Sequence, residues 1–291
     1  MKILVTGIRG QLGYDVLKEL QCRNIICIGA GRTEFDITDS RRTRDFIMSY
    51  APDAVIHCSA YTAVDKAEDD VETCIKVNVE GVRNIAVCCK EINAKMVYLS
   101  SDYIFNGKGD RPFEVTDTPD PLSVYGRSKL AGEEEIRKVL SRYFIVRISW
   151  VFGINGNNFI KTMMRLGKDR KEVNVVDDQV GSPTYTADLA SLLCDMIETE
   201  KYGTYHATNE GYCSWADLAE KTFEIANMQV KVNHILTEKY PTRAARPENS
   251  RLSKISLDNN GFSRLPAWES AVERFVNELM REKHDKIFGD I

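Results

Sequence analysis

The chain has 291 residues, 43% of them hydrophobic and 28% charged, with a formal net charge of −4. That length can bury a substantial core in one domain or two, and the composition is that of an ordinary globular protein. The balance is acidic and lacks a basic stripe, which excludes nucleic acid and anionic membrane as expected partners, and no apolar run approaches the ~18 residues that span a bilayer.

The eight cysteines form no C-x-x-C pair and no Cys/His spacing suited to zinc. Free thiols packed as small hydrophobes are therefore expected, with no metal site. Met1 leads directly into a strand, leaving no room for a signal peptide and pointing to a cytoplasmic protein.

Residues 2–6, Lys-Ile-Leu-Val-Thr, read as a strand buried on both faces. They run into Gly7-Ile-Arg-Gly10-Gln-Leu-Gly13 and an amphipathic helix with Leu12, Val16, Leu17 and Leu20 on one stripe. Glycines between a strand and a helix let the backbone approach a pyrophosphate, which then sits on the helix N-terminus. The spacing is G-x-x-G-x-x-G, not the G-x-G-x-x-G of the usual fingerprint.

Residues 24–29 form a second strand, followed by Ala30-Gly31-Arg32-Thr33 with no acid before Glu34. An acid at this tip favours NAD and an arginine NADP, so Arg32 points to NADPH with NADH possible; a solvated loop arginine would look the same. Asp36-Ile37 suits an adenine edge and face, or Asp36 with Asp39 opens the next helix as a cap.

A helix over 40–50 and a strand over 54–58 follow, the strand carrying His57 as a core histidine and ending in the small residues Ser59-Ala60-Tyr61-Thr62-Ala63. Such a strand end leaves space for a ligand. Acids at 65–70 suit the start of a helix that runs to about residue 92 and carries Asn78 between two valines.

The strand over 94–100 delivers Ser100-Ser101-Asp102, and a Gly/Pro/Asp-rich loop leads to a helix bearing Tyr125 and Lys129. Tyr125 and Lys129 are four apart and share a helix face. A lysine cation beside a tyrosine stabilises the phenolate, and a serine hydroxyl aligns a carbonyl oxygen, so the set suits carbonyl reduction. Tyr14 and Lys18 have the same spacing but no serine-ended strand before them, and are expected on the surface.

Another strand spans 143–150. Strands alternating with helices predict an α/β fold, a doubly wound parallel sheet of Rossmann type. The remainder predicts a smaller α/β substrate-binding lobe: a helix over 159–166, a strand near 173–179 outside the main sheet, a helix and strand over 188–207 returning to it, a helix capped by Ser214, and an amphipathic helix over 267–283. The division is residues 1–152 and 184–210 for the dinucleotide-binding domain, and 153–183 and 211–291 for the sugar-nucleotide lobe. Arg243-Ala-Ala-Arg246-Pro-Glu-Asn249-Ser250-Arg251 suits an anionic diphosphate, although a solvated loop would look similar.

The glycine turn, residues 61–68, Ser101-Asp-Tyr-Ile-Phe105, residues 121–133, Ile148-Ser-Trp-Val151, Asn157-Asn-Phe159, Asp178-Gln-Val-Gly-Ser-Pro-Thr184 and Arg246–Leu252 together resemble the dTDP-4-dehydrorhamnose reductase family, a branch of the extended short-chain dehydrogenases/reductases, nearly end to end. The resemblance implies NAD(P)H-dependent reduction of the 4-keto group of a dTDP-6-deoxyhexulose. It implies Tyr125 as proton donor, Lys129 on the nicotinamide ribose, and Ser101, where the family usually has threonine, at the keto oxygen. Gly10, Gln11, Leu12, Asp36, Ile37, Ala60, Tyr61 and Thr62 would line the cofactor, Asp102 and Trp150 would face the sugar, and Asn249, Ser250 and Arg251 the diphosphate. Related dehydratases carry Asp-Glu after the active-site threonine; Asp102-Tyr103 lacks the second carboxylate and favours simple reduction. Other nucleotide-sugar epimerases or dehydrogenases share the fold, and some relatives are non-catalytic regulatory subunits of methionine adenosyltransferase. A homodimer is possible.

Overall fold

The computed structural model describes residues 1–288, with side chains to Arg281. Residues 289–291, the end of the expected lobe, lie outside the described residues. β1 (Lys2–Thr6), β2 (Ile26–Ala30), β3 (Ala54–His57), β4 (Lys95–Ser101), β5 (Tyr143–Ile148) and the strand Gly203–His206 form one six-stranded sheet. Its order is β2-β1-β3-β4-β5 with Gly203–His206 at the far edge, and every neighbouring pair is parallel. Parallel pairing needs crossovers. These are α1 (Gln11–Cys22), α2 (Ser40–Tyr50), the series α3 (Val64–Ala67), α4 (Val71–Ile75) and α5 (Gly81–Glu91), and α6 (Val124–Val139). α7 (Phe159–Asp169) leaves the sheet and α8 (Thr186–Ile197) returns to it.

Alternate strand residues serve opposite layers. Ile3, Val5, Val97, Leu99, Phe144 and Val146 pack with Val16 and Leu20 of α1 and Leu189, Leu193 and Ile197 of α8. Leu4, Val55, Met96, Tyr98 and Ile145 pack with Ile47 of α2, Ile85 of α5 and Ile136 of α6. Both faces are covered, which explains why the strands read as continuous apolar runs.

The chain crosses from one side of β1 to the other between β2 and β3. This switch point opens a crevice at the strands' carboxyl ends, the usual seat of a ligand in such sheets. The smaller lobe gathers α7, α9 (Trp215–Ile225), α10 (Ile255–Asp258) and α11 (Trp268–Phe288) with short strands, including a parallel pair Glu172–Val176 and Lys231–Ile235. Its core contains Phe152, Tyr185, Leu218, Val272 and Phe275. Ser214 caps α9 in a capping box with Asp217, as expected from its position.

The helix expected to run to about residue 92 is present from Val71 to Glu91, and residues 68–70 separate it from the short entry helix α3. α4 passes into a π turn at Lys76–Glu80 before α5 begins. Asn78 lies within this turn as a buried amide turned inward to bind the Tyr61 backbone. The strand expected over 143–150 stops at Ile148, and Trp150 takes a left-handed backbone with φ of 49°. Among the described residues no helix is long and apolar enough to cross a membrane.

Candidate active site

The glycine turn after β1 is shaped to admit a phosphate. Gly7 has φ of 71°, and a Cβ there would lie 2.7 Å from the Ser59 nitrogen. A Cβ on Gly13 would lie 2.4 Å from the Gly7 carbonyl oxygen, so α1 packs against its own turn only because that atom is absent. No side chain caps the start of α1 at Gly10, which leaves the helix N-terminal N–H groups available to an anion. These features fit a dinucleotide pyrophosphate.

Two cavities meet at this turn. One, of about 690 Å³, is lined by Thr6, Gly7, Gly10, Arg32, Asp36, Ile37, Ala60 and Tyr61. Asp36 accepts bonds from the Thr38 nitrogen at 3.0 Å and hydroxyl at 2.8 Å and lies 3.3 Å from Arg32 Nε. The Thr38 bonds, with Arg32, hold its carboxyl below the usual range. The cap of α2 is Asp39, which accepts from the Arg42 nitrogen at 3.0 Å; Asp36 belongs to the cavity wall. Arg32 extends its side chain into solvent at the rim, 89% exposed.

The second cavity, of about 450 Å³, is lined by Gly10, Gln11, Leu12, Gly13, Ala60, Thr62, Ser101, Asp102, Tyr125, Lys129 and Trp150. Gln11 ties the turn to the smaller lobe, its Oε1 accepting from the Gly153 nitrogen and from Asn158 Nδ2, both at 2.9 Å. Ser101 ends β4 and Tyr125 and Lys129 lie in the first turns of α6, whose N-cap is Ser123. Tyr14 and Lys18 lie on the exposed face of α1, apart from this cavity.

Burial, then the neighbouring Asp102, raises the Tyr125 phenol, against the opposing effect of the nearby Ser101 hydroxyl. At neutral pH the phenol is protonated, the form a proton donor needs. Burial lowers Lys129 to about 7, with Glu133 opposing the shift. Its ammonium sits 4.1 Å from the centre of the Tyr98 ring, a cation–π contact. Burial also raises Asp102 to about 6, against bonds from the Ser250 and Ser101 hydroxyls.

Asn78 positions both sides of the site. Its Oδ1 accepts from the Tyr61 nitrogen at 2.8 Å, and its Nδ2 donates to the Tyr61 carbonyl at 3.1 Å and to Ser128 Oγ at 2.9 Å. Ser128 in turn donates to the Tyr125 carbonyl at 2.7 Å. The cofactor-side loop is thus pinned to α6. A lone amide between valines was the only sequence sign of this link. Glu133 and Arg147 form a second tie, from α6 to β5, in a buried fork with distances of 2.9 and 2.8 Å; two residues 14 apart on different elements carry no sequence signal of pairing. His57 is buried, bonded through Nδ1 to the Thr6 hydroxyl at 2.8 Å, and burial lowers it to about 3, so it is neutral.

The arginine-bearing run divides. Arg243 pairs with Asp69, and Arg246 with Asp65 at 2.8 Å. Asn249 and Ser250 are buried; Asn249 donates to the Arg111 carbonyl at 2.8 Å and Ser250 to Asp102 at 2.6 Å. Arg251 bonds Asn249 Oδ1 at 3.1 Å and lies over the Tyr212 ring. Arg246 is the arginine of the run that borders a third cavity, of about 600 Å³, with Phe159, Trp215, Gln179 and Lys239. Trp150 stacks on Trp215 at 3.7 Å and so separates this cavity from the second.

A family model described as the RmlD substrate binding domain matches residues 1–281. The chain is 37% identical over 293 residues to a dTDP-4-dehydrorhamnose reductase of Escherichia coli K12, covering 96% of this chain and 98% of the relative. It is 36% identical to the spore coat polysaccharide biosynthesis protein SpsK of Bacillus subtilis, covering 95% and 97%. The crystal structure of dTDP-4-dehydrorhamnose reductase from Bacillus anthracis in complex with NADP superposes with a TM-score of 0.93 at 42% identity, covering 96% of this chain and all of that one. With its switch-point cavities and its serine, tyrosine and lysine at one wall, this chain belongs to the dTDP-4-dehydrorhamnose reductase family.

Proposed function

We propose that the protein reduces the 4-keto group of dTDP-6-deoxy-L-lyxo-4-hexulose to give dTDP-L-rhamnose, using NADPH with NADH as a possible substitute, in the biosynthesis of nucleotide sugars and cell-surface polysaccharide. The observation that carries this reading is the single cavity shared by Ser101, Tyr125, Lys129 and the glycine turn Gly10–Gly13, in a chain of this family. The bound nicotinamide supplies the hydride. Tyr125, kept protonated by burial, donates its proton to the keto oxygen, and Ser101 aligns that oxygen. Lys129 would hold the nicotinamide ribose, and Trp150 the sugar face.

The third cavity, bordered by Arg246, offers room for the nucleoside diphosphate. Asn249, Ser250 and Arg251 would reach the phosphates only after exchanging their present bonds. The reading places the enzyme in the cytoplasm, acting on a small nucleotide sugar, as a monomer or a homodimer.

Incubation with dTDP-4-keto-6-deoxyglucose, the 3,5-epimerase and NADPH tests the proposal. Stoichiometric loss of reduced-cofactor absorbance is the expected result. A protein that interconverts nucleotide sugars with no net consumption of cofactor would instead be an epimerase that recycles its NAD.

A further inference from the structure

Asp102 directly follows Ser101 and is 3% exposed. Both of its carboxylate oxygens are held by hydroxyls, not by a cation: Oδ1 by Ser101 at 2.8 Å and Oδ2 by Ser250 at 2.6 Å. A buried carboxylate without a cation is costly, and taking up a proton relieves that cost. Ser101 lines the same cavity as Tyr125. A line of hydrogen-bonded oxygens therefore runs from Ser101 through Asp102 to Ser250, in the short strand Asn249–Ser250 of the smaller lobe, and it opens at Ser101 on the cavity that Tyr125 also lines.

We propose that Asp102 is the proton reservoir of the active site and recharges Tyr125 through the Ser101 hydroxyl after each reduction. The step rests on the reductase reading and conserves protons. Tyr125 gives its hydroxyl proton to the keto oxygen. The Ser101 O–H bond then breaks as its proton passes to the Tyr125 oxygen, and the Asp102 carboxyl proton replaces it on Ser101. The Asp102 carboxylate regains a proton from water once the product leaves. A hydroxyl can serve both neighbours because it rotates and both donates and accepts.

The other ionisable groups facing Asp102 are the Tyr103 and Tyr125 phenols, both held protonated by burial and by Asp102 itself. Lys129 lines the same cavity, and Arg246 and Asp65 stand near Tyr103. Tyr103 N–H donates to Ser101 Oγ at 3.2 Å, which fixes the relay's middle oxygen.

The pH profile of kcat tests the relay. Wild type should lose turnover as pH rises through the ionisation of Asp102. Asp102→Asn keeps the shape, turns one of the two acceptor positions into a donor that a serine hydroxyl can still accept from, and cannot titrate. Its turnover should fall at least about ten-fold and the limb should vanish, while NADPH affinity measured by fluorescence stays within roughly two-fold, since phosphate and ribose contacts are untouched. Ser250→Ala removes a donor that favours the charged form, so its limb should move to higher pH. Carbon-13 NMR of carboxyl-labelled aspartate, taken as wild type minus Asp102→Asn, should show one carboxyl titrating above the ordinary aspartate range. An Asp102→Asn enzyme that keeps the limb, or a difference spectrum with Asp102 ionised throughout that range, overturns the relay. A wild-type protein that reduces no dTDP-4-keto-6-deoxy sugar overturns the relay and the reductase reading together.

Discussion

Tyr125 and Tyr14 each precede a lysine by four residues on a helix, yet they differ in surroundings. Tyr125 is 9% exposed and faces Ser101 across a cavity, whereas Tyr14 is 42% exposed. Tyr125→Phe is therefore expected to lower turnover by about 10²–10⁴ with cofactor binding retained, and Tyr14→Phe to change little. Steady-state kinetics on both variants check this, and equal losses would show the wrong pair had been chosen. The tyrosine, the lysine and the serine were legible in sequence from their order: a strand ending in a hydroxyl, then a helix. The charge state of each was not. The high phenol of Tyr125 arises from burial and Asp102, and the low ammonium of Lys129 from burial that outweighs the opposing Glu133, and these depend on atoms brought in from elsewhere in the chain.

At the scale of elements, the π turn and α6 hold the site in register. Asn78→Ala would leave the Tyr61 backbone unsatisfied, and such a loss costs about 1–3 kcal/mol. Urea denaturation should register that loss, and cofactor affinity should weaken with it because Tyr61 lines the cavity beside the glycine turn. Glu133→Gln strands the Arg147 guanidinium in the interior and is expected to cost about 3–5 kcal/mol, seen as a lower denaturation midpoint; an unchanged midpoint would mean the pair is not buried in solution. Amphipathic periodicity located α1 and α9 correctly, and the cap residues Asp39 and Ser214 mark the starts of α2 and α9. Periodicity found the helix over residues 71–91 but not the π turn inside it. The residues of α4, the π turn and α5 follow one helical pattern, which records neither the π turn nor the bond of the Asn78 amide to a backbone 17 positions away.

At the scale of the molecule, the parallel sheet and the smaller lobe together make the crevice, and the proposed function puts the cofactor choice at its open edge. Arg32 lies at the rim with Asp36 as partner. A guanidinium bonded to a 2′-phosphate contributes about 1.5–3 kcal/mol. Arg32→Ala should thus weaken NADPH by roughly 10–100-fold and leave NADH nearly unchanged, as measured by paired Michaelis constants; equal values in both forms would make Arg32 a solvated residue.

The sequence by itself determined the doubly wound sheet, the glycine turn, the serine-ended strand and the tyrosine–lysine helix, because buried parallel strands, tight turns and helix faces leave local patterns within a few residues. Only the tertiary structure decided how Asn78 and the Glu133–Arg147 pair lock the site and which arginine of the run borders a cavity. It also decided that Asp102 of the tyrosine–lysine site is held by Ser250 of the distant lobe. Those contacts join residues from 14 to 148 positions apart, and burial, hydrogen bonding and charge act through space, which no local pattern records.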